Sequence, residues 1–295
     1  MEKYLEECKL CPRNCKVNRI KGEKGFCRVG SKIKVALINL HQFEEPCISG
    51  KTGSGTVFFS GCNLKCKYCQ NYKISQEDLG REITVEELAN EFIMLQEKGA
   101  NNINLVTGFA YVPQIIESIK IAKKNGLDIP VVYNTSGYES LETLKMLEGY
   151  VDVYLPDLKY YYNDLSKDLS FCEDYFEKAS EAIKEMIRQV GSPVFDENNL
   201  IKKGVIIRHL VLPNHIQNSK SILKWIKQNI NSNVYVSIMA QYFPTYKANE
   251  TEDINRKLTK EEYEKIEDYL YQLNLENGYM QELEENEEQY VPDFK

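Results

Sequence analysis

The sequence has no long apolar segment. No stretch approaches the roughly 20 consecutive apolar residues that a membrane-spanning helix requires, and the first ten residues, MEKYLEECKL, contain no apolar core of a signal peptide. We therefore expect a soluble, cytoplasmic protein that has no membrane partner.

The chain also has no excess of positive charge. Its 37 Lys and Arg are outnumbered by 44 Asp and Glu, which gives a formal net charge of −7. Because binding to nucleic-acid phosphates requires clustered Lys and Arg, nucleic acid is not expected as the main ligand. A local basic patch is still compatible with this total.

Cysteine, in contrast, is abundant and clustered. An odd number of thiols at short spacings, without a secretion signal, favours metal sites over a disulfide framework. The nine cysteines form an N-terminal group of four, a second group of three and two isolated residues: Cys8, Cys11, Cys15 and Cys27; Cys62, Cys66 and Cys69; Cys47 and Cys172.

From residue 56 onward, apolar runs rich in β-branched and aromatic residues alternate with amphipathic helical patterns. The predicted strands are 56–59, 103–106, 130–134, 151–155, 204–212 and 234–239, and the predicted helices are 84–98, 113–125, 140–148, 171–190, 219–230 and 259–273. Near-continuous apolar strands separated by helices predict an α/β fold with a parallel sheet that is covered on both faces. Such a sheet either curls into a partial barrel or lies open, and both forms bind ligands at the carboxyl ends of the strands.

Three regions differ in pattern. Residues 1–50 are predicted to form a cysteine-rich module with one strand, KIKVALINL, and residues 51–245 the α/β body. Residues 246–295 comprise a C-terminal helix and an acidic tail that we expect to be mostly solvated, although Tyr290, Val291 and Phe294 could dock onto the body.

The second cysteine group, CNLKCKYC, directly follows the first strand of the body. A structural zinc ion takes four closed ligands, whereas this loop offers Cys62, Cys66 and Cys69. Three thiolates can instead hold three irons of a cubane and leave the fourth iron open to a substrate or cofactor. The residues alone leave both a zinc knuckle and a reactive iron–sulfur cluster as alternatives.

The stretch GCNLKCKYCQNY resembles the CxxxCxxC loop of the radical S-adenosylmethionine (SAM) enzymes. Within that superfamily the chain is similar to the pyruvate formate-lyase activating enzyme-like group, and the resemblance extends over CKLCPRNCKVNRIKGEKGFCRVG, NINLVTGFAYVPQ, VVYNTSGYE, VDVYLPDLKYY, VIIRHLVLPN and SIMAQYFP. It implies a partial (β/α)6 TIM-type barrel. It also implies that Cys62, Cys66 and Cys69 bind a [4Fe-4S] cluster.

The same resemblance implies the chemistry. An external one-electron donor of the flavodoxin or ferredoxin type would reduce the cluster, SAM would be cleaved to methionine, and a 5′-deoxyadenosyl radical would abstract hydrogen from the substrate. The cofactor carries this chemistry, while the protein orients it and shields the radical. No further catalytic residue is assigned.

Cofactor-binding roles are likewise implied by resemblance. The segment Val106–Gly108 matches the position of the family glycines that hold the methionine amino group, although VTG departs from the usual Gly-Gly-Glu. Lys159 would pair with the methionine carboxylate. The full set implied to bind the cofactor is Tyr68, Thr107, Gly108, Asn134, Ser136, Asp157, Lys159 and Arg208.

The N-terminal group offers four thiolates, which suit zinc or a second [4Fe-4S] cluster; a regulatory thiol set is a third alternative. The isolated Cys47 and Cys172 are most simply buried structural thiols, although Cys47 could approach either metal site.

Several functions are consistent with these motifs. The first is activation of a glycyl-radical enzyme, with that protein or a peptide as substrate. Another is modification of a different protein, peptide or small molecule. A function from another class is a non-catalytic iron–sulfur or zinc protein.

Overall fold

The computed structural model describes residues 2–230, 233–283 and 292–294. The strands are β1 Ile33–His41, β2 Ser54–Phe59, β3 Arg81–Ile83, β4 Ile103–Val106, β5 Val131–Thr135, β6 Val153–Pro156, β7 Val194–Phe195, β8 Ile201–Leu210, β9 Tyr235–Met239 and β10 Gly278–Met280. The α-helices are α1 Lys3–Glu6, α2 Pro46–Ser49, α3 Tyr72–Ser75, α4 Val85–Glu97, α5 Val112–Lys124, α6 Leu141–Leu147, α7 Asn163–Ser170, α8 Tyr175–Val190, α9 Ile216–Asn229 and α10 Lys260–Gln272. Short 3₁₀ helices span Phe109–Tyr111, Tyr246–Glu250 and Glu252–Ile254.

One sheet organises the fold, with strand order β10-β9-β8-β6-β5-β4-β2-β1-β3. The six predicted strands are present as β2, β4, β5, β6, β8 and β9, and each pairs in parallel with its neighbour in this series. The terminal strands of the order, β10 and β3, are not neighbours, so the sheet curls without closing. The predicted α/β class and partial TIM-type barrel are confirmed.

Local sequence explains why the elements begin where they do. Every residue of β2, β4, β5 and β6 is buried, as a parallel strand covered on both faces requires. Helices α4 and α10 each start with a complete capping box, formed by Thr84 with Glu87 and by Thr259 with Glu262. Both helices lie within their predicted ranges, 84–98 and 259–273.

One predicted helix was wrong in its bounds. The pattern over 171–190 is interrupted, because α8 begins at Tyr175 and a separate helix, α7, ends at Ser170. Phe171 lies between them with φ 54°, a left-handed conformation that usually marks a helix end with Gly or Asn. The sequence NDLSKDLS offers only two leucines as an apolar face, which is too little periodicity to identify α7.

The N-terminal residues contribute to the sheet as well as to the cysteine-rich segment. The predicted strand KIKVALINL is β1, which pairs antiparallel with β2 and with β3. The chain then turns beneath the sheet, where α2 covers the concave face and buries Cys47 and Ile48 against Val132, Val153 and Ile206. The division into regions 1–50, 51–245 and 246–295 stays a prediction.

At the C-terminus, Phe294 is buried and its ring lies 5.4 Å from that of Phe58. The predicted docking of Tyr290 and Val291 falls outside the described residues. Across the ranges that the structure describes, none of the helices has both the length and the apolar character that crossing a bilayer requires.

His209, on β8, shows how this strand is attached to its neighbours. Its Nδ1 lies 2.7 Å from the Leu158 carbonyl oxygen and its Nε2 lies 2.8 Å from Ser219 Oγ. Burial lowers the pKa of His209 to about 4, so the neutral ring is the stable form. The ring packs on the helix side of the sheet and holds β8 in place, while the preceding residue, Arg208, faces the opposite side.

We expect this depressed pKa to make stability pH-dependent. The folded state binds the His209 proton less well than the unfolded state, whose pKa is near 6.5. Stability is therefore full above pH 6.5 and decreases as the pH falls toward 4. Between pH 7 and 4.5 the loss from this group is about 2 kcal/mol. Urea unfolding of wild type and His209→Gln at both pH values measures it, and equal pH slopes in the two proteins would contradict the assignment.

Candidate active site

Polar and thiol side chains from five parallel strands converge at the carboxyl end of the sheet. The three-cysteine loop follows β2, Thr107 follows β4, and Ser136 follows β5. Asp157 and Lys159 follow β6, and Asp157 forms a parallel bridge with Arg208 of β8. The topology therefore gathers, at one edge, residues that are up to about 150 positions apart in the sequence.

The three-cysteine loop is fixed by backbone contacts on both sides. Gly61 donates its backbone N–H to the Ile74 carbonyl at 2.8 Å, and Lys67 donates its backbone N–H to the Leu169 carbonyl at 2.8 Å. The hydroxyl of Ser170, at the end of α7, lies 3.0 Å from the sulfur of Cys66. The unpredicted helix α7 therefore forms one wall of the loop.

Cys66 is buried in this loop, and Cys62 and Cys69 are partly exposed. Burial raises the pKa of Cys62 and Cys66, and raises that of Cys69 to about 11. The positive charge of Lys159 opposes this increase at all three sulfurs. Without a metal these thiols are protonated. Coordination by iron would favour the thiolate forms that cluster binding needs.

Arg208 is the centre of a buried charge network. Its guanidinium Nε lies 3.0 Å from Asp157 Oδ1, and one Nη donates to Asn134 Oδ1 at 2.6 Å. Asp157 also accepts a 2.7 Å hydrogen bond from Lys159 Nζ. Burial alone would raise the pKa of Asp157, but the charges of Lys159 and Arg208 outweigh it and hold that pKa below its ordinary value.

Sequence analysis missed two carboxylates that complete this network. Glu44 accepts hydrogen bonds from Arg208 at 3.1 Å, Asn104 at 2.9 Å and Asn134 at 3.2 Å. Glu45 is buried, and one of its carboxylate oxygens has no hydrogen-bond partner. Burial raises the pKa of Glu45, against the opposing charge of Arg208. A signal was present in the adjacent acidic pair before PCISG, but only the antiparallel course of β1 brings that pair under the barrel.

A cavity of about 390 Å³ opens above these groups on the concave face. Glu44, Glu45, Asn134 and Arg208 contribute its polar lining, together with Gln70 from the three-cysteine loop. This volume lies in the range of about 300–1,000 Å³ that small-molecule sites occupy. The cavity is large enough for a cofactor-sized ligand, and Gln70 and Asn71, which follow Cys69 in the sequence, line the side toward the thiol loop.

The remaining predicted cofactor residues lie at the same edge, with different contacts. Thr107 has a left-handed φ of 61° and donates its N–H to the Asn134 carbonyl at 2.9 Å. A Cβ added to Gly108 would lie 2.7 Å from Cδ1 of Ile115, so this glycine packs closely against α5. Ser136 Oγ is 3.5 Å from Asn63 Oδ1, and the Tyr68 hydroxyl is 2.6 Å from that of Tyr160. Their roles in cofactor binding stay predictions.

The other cysteines are separated from this edge. The four N-terminal thiols share one enclosed cavity of their own, lined by Cys8, Cys11, Cys15 and Cys27. Cys47 is buried beneath the barrel and Cys172 beside Tyr138. Considering only the described ranges, no three Cys, His, Asp or Glu side chains close around a single metal-ion position. A cubane does not require this, because each thiolate binds a different iron.

The fold is an unclosed parallel barrel with a charged cavity and a thiol loop at the carboxyl ends of its strands. In α/β enzymes of this architecture the ligand site lies at that edge. Residues 56–203 match the model of the Radical SAM superfamily, which covers half of the chain. The chain belongs to this superfamily and is an enzyme of the radical SAM class. Membership implies a [4Fe-4S] cluster and SAM as cofactors, and the non-catalytic alternative is not supported.

Comparison with curated proteins gives relatives along most of the chain. An uncharacterised protein of Methanocaldococcus jannaschii is 35% identical over 285 residues, which cover 93% of this chain and 77% of the relative. The pyruvate formate-lyase-activating enzyme of Clostridium pasteurianum is 25% identical over 79% of this chain and 97% of its own length. The predicted resemblance to the activating-enzyme group is confirmed.

Among solved structures, SuiB of Streptococcus suis in complex with its precursor peptide SuiA has a TM-score of 0.51 and 14% identity. The match covers 75% of this chain and 46% of SuiB, so the chain spans less than half the length of that protein. At this identity the similarity concerns the fold alone.

Proposed function

We propose that Cys62, Cys66 and Cys69 hold the [4Fe-4S] cluster and that SAM binds beside it in the cavity above Arg208. Three sulfur donors on one loop, which backbone hydrogen bonds hold to the body and in which Cys66 is buried, support this assignment. When bound, the cluster and SAM supply the 5′-deoxyadenosyl radical. The observation that carries the proposal is that Lys159 and the three-cysteine loop meet at one strand edge. Lys159 Nζ lies 2.7 Å from Asp157 Oδ2, and the hydroxyl of the next residue, Tyr160, lies 2.6 Å from that of Tyr68 within the loop.

The chain's own residues bind and orient the cofactor. Lys159 offers its ammonium to the methionine carboxylate, while Asp157 holds that ammonium in place and is itself held by Arg208. Asn134 and Ser136, at the end of the next strand, are placed to contact the ribose. Cys66 and Tyr68 are buried, which limits the access of water on their side of the loop.

For the substrate, we propose a protein or peptide, one residue of which loses a hydrogen atom to the 5′-deoxyadenosyl radical. Activation of a glycyl-radical enzyme is the leading case. The similarity to the Clostridium pasteurianum activating enzyme over 97% of that enzyme's length supports it. Modification of another protein, a peptide or a small molecule is the alternative within the class. An external flavodoxin- or ferredoxin-type donor would supply the electron.

A direct assay tests both parts of this proposal, the cleavage of SAM and the activation of a partner protein. The anaerobically reconstituted protein, reduced in the presence of SAM, should release 5′-deoxyadenosine and methionine. Addition of a candidate glycyl-radical protein should then produce a glycyl-radical electron paramagnetic resonance (EPR) signal. Release of 5′-deoxyadenosine with no radical on any candidate partner would favour the alternative substrates. No 5′-deoxyadenosine at all would contradict the enzymatic proposal.

We expect Lys159→Met to weaken SAM binding more than it affects folding. A charge-assisted hydrogen bond contributes about 1.5–3 kcal/mol, so the Kd for SAM should increase about tenfold to a hundredfold. Asp157 keeps its contact with Arg208 in the variant, and a large loss of stability is therefore not expected. Equilibrium binding of SAM measures the effect. Lys167→Met, which removes an exposed lysine of α7, is the matched control, and an equal change in both variants would reject the assignment.

A further inference from the structure

The N-terminal segment forms a second thiol site that the proposed function does not use. Its cavity is walled by apolar groups as well as by sulfur: Phe26, Val29, Phe109 and Ala110 join Cys8, Cys11, Cys15 and Cys27 in lining it. The walls come from both the N-terminal segment and the body, because Phe109 and Ala110 follow β4. The site is thus built into the fold and is not a free thiol-rich tail.

A glycine gives evidence of how closely this segment is folded around its sulfurs. A Cβ added to Gly25 would lie 2.8 Å from Cys15 Sγ and 3.0 Å from Cys15 Cβ. Gly30, which is five residues further on, has open space at the same position. Only the glycine next to the sulfur is therefore required by packing.

A buried cation lies next to the same thiols. Arg19 is 1% exposed, and its guanidinium donates to the carbonyl oxygens of Gly30 at 2.8 Å and Ala110 at 2.7 Å. One of its nitrogens is 4.0 Å from Cys8 Sγ. In the part of the chain that the structure describes, Arg19 forms no ion pair with a carboxylate. Burial of an unpaired charge is costly, and a set of metal-bound thiolates would supply the missing negative charge.

The second thiol site is in direct contact with the three-cysteine loop. The position that a Cβ of Gly61 would take lies 3.0 Å from the Cys27 carbonyl oxygen. Arg13, between two of the N-terminal cysteines, donates from Nε to the Asn63 carbonyl at 3.0 Å. Gly61 and Asn63 flank Cys62. The two thiol groups are therefore attached to neighbouring stretches of backbone.

The segment around the second site is basic in sequence, although Arg19 is buried and Lys9, Lys24 and Lys32 pair with Glu7, Asp78 and Glu82. Residues 8–32 carry eight Lys and Arg and one Glu, within a protein of net charge −7. Lys21 and Lys16 are both exposed, and Lys16 is next to Cys15 in sequence. Cys8 and Cys15 are themselves partly exposed, whereas Cys11 is buried. The site is thus accessible from a basic surface.

We propose that Cys8, Cys11, Cys15 and Cys27 hold a second [4Fe-4S] cluster that relays electrons, and that the basic surface of residues 8–32 docks an acidic one-electron donor protein. The donor loses one electron, the second cluster is reduced by one electron, and the same electron then passes to the metal site of the three-cysteine loop, which returns the second cluster to its oxidised state. This inference rests on the proposed function, because the relay needs an acceptor at Cys62, Cys66 and Cys69.

Zinc is the alternative occupant of four thiolates. Zinc has no redox chemistry. A structural zinc site would also not explain why the thiols lie between a basic surface and the three-cysteine loop. An iron–sulfur cluster uses each of these features: the thiolates as ligands, the apolar walls and Arg19 to set its potential, and the contact with the loop as an exit for the electron.

Metal content gives the first test. Anaerobically reconstituted wild-type protein should bind two clusters, and Cys11→Ser/Cys27→Ser and Cys66→Ser/Cys69→Ser should each lose about four irons per chain. Reduced Cys66→Ser/Cys69→Ser should keep an EPR signal that SAM does not change. One zinc per wild-type chain, or unchanged iron in Cys11→Ser/Cys27→Ser, would overturn the proposal.

The source of electrons gives the second test. With dithionite as reductant, Lys16→Glu/Lys21→Glu should form 5′-deoxyadenosine at the wild-type rate. With a reduced flavodoxin as donor, it should be slower by about tenfold, and the difference should shrink at high salt. Lys51→Glu/Lys224→Glu reverses two exposed charges elsewhere and should behave as wild type with both donors. Equal rates for the two charge-reversed variants with flavodoxin would contradict docking at this surface.

The two proposals fail in different ways. If wild-type protein forms no 5′-deoxyadenosine with dithionite, the proposed function is wrong. If it does, and Cys11→Ser/Cys27→Ser is as fast as wild type with flavodoxin, the relay alone is wrong.

Gly25→Ala and Gly30→Ala provide a milder pair in case the cysteine variants fail to fold. Gly25→Ala should lose iron from the second site, while Gly30→Ala should keep it, and equal iron content would count against the site.

Discussion

Replacement of Cys66 by alanine is expected to abolish formation of 5′-deoxyadenosine. The loop offers only three thiols, so loss of one leaves a cluster with two protein ligands. Cys66 is also the most enclosed of the three, with 8% of its surface exposed and its sulfur next to the Ser170 hydroxyl. Product formation from SAM under dithionite, measured by chromatography, should fall to the background level of protein without iron.

Cys47→Ala is the matched control for this prediction. Cys47 is likewise buried, at 3% exposure, but it packs beneath the barrel against Ile48 and Val132. The variant loses a similar volume and one thiol, and it should keep the activity and the iron of the loop site. Normal turnover by Cys66→Ala would reject the assignment of the loop.

The second large effect is expected on stability, at Arg208. Arg208→Leu removes the cation that contacts Asp157 and Glu44 and that opposes the raised pKa of Glu45. Breaking a buried ion pair by removing one partner costs about 3–5 kcal/mol, because the other charge stays buried and unpaired. We expect the free energy of unfolding in urea to fall by about this amount at pH 7.

Two comparisons isolate the cause of this loss. Arg188→Leu breaks ion pairs with Glu148 and Glu185 on the surface, where the side chain is 53% exposed, and should cost less than about 1 kcal/mol. Glu44→Gln combined with Arg208→Leu should recover part of the stability, since it removes one of the unpaired charges. If Arg208→Leu is no worse than Arg188→Leu, the network contributes little to the fold.

The sequence was a good guide to elements whose signals are local. Strand β4 matches its predicted bounds, and α4 and α10, which follow the caps Thr84 and Thr259, begin one residue inside theirs. Alternation along a strand places Arg208 and His209 on opposite faces of β8, so that one of them faces away from the barrel. It could not say which, because both faces of a covered parallel strand are apolar and the register depends on the neighbouring strands.

What was missed depends on contacts between distant segments. Glu44 reaches Arg208, 164 positions away, only because β1 runs antiparallel to β2 and returns the chain beneath the barrel. Helix α7 is short and polar, and its contact with Cys66 comes from the approach of two loops. Arg19 has the sequence environment of a surface residue, yet the fold buries it beside Cys8. Periodicity and spacing carry no information on such pairs.

The central claim is that three thiolates leave one iron open, and that SAM occupies it. EPR of the reduced protein, recorded with and without SAM, tests this claim most directly. Cys11→Ser/Cys27→Ser should be used, so that only the loop cluster contributes. We predict that SAM changes the spectrum of this cluster. An identical spectrum at saturating SAM would show that no open iron is available to the cofactor, and would contradict the account.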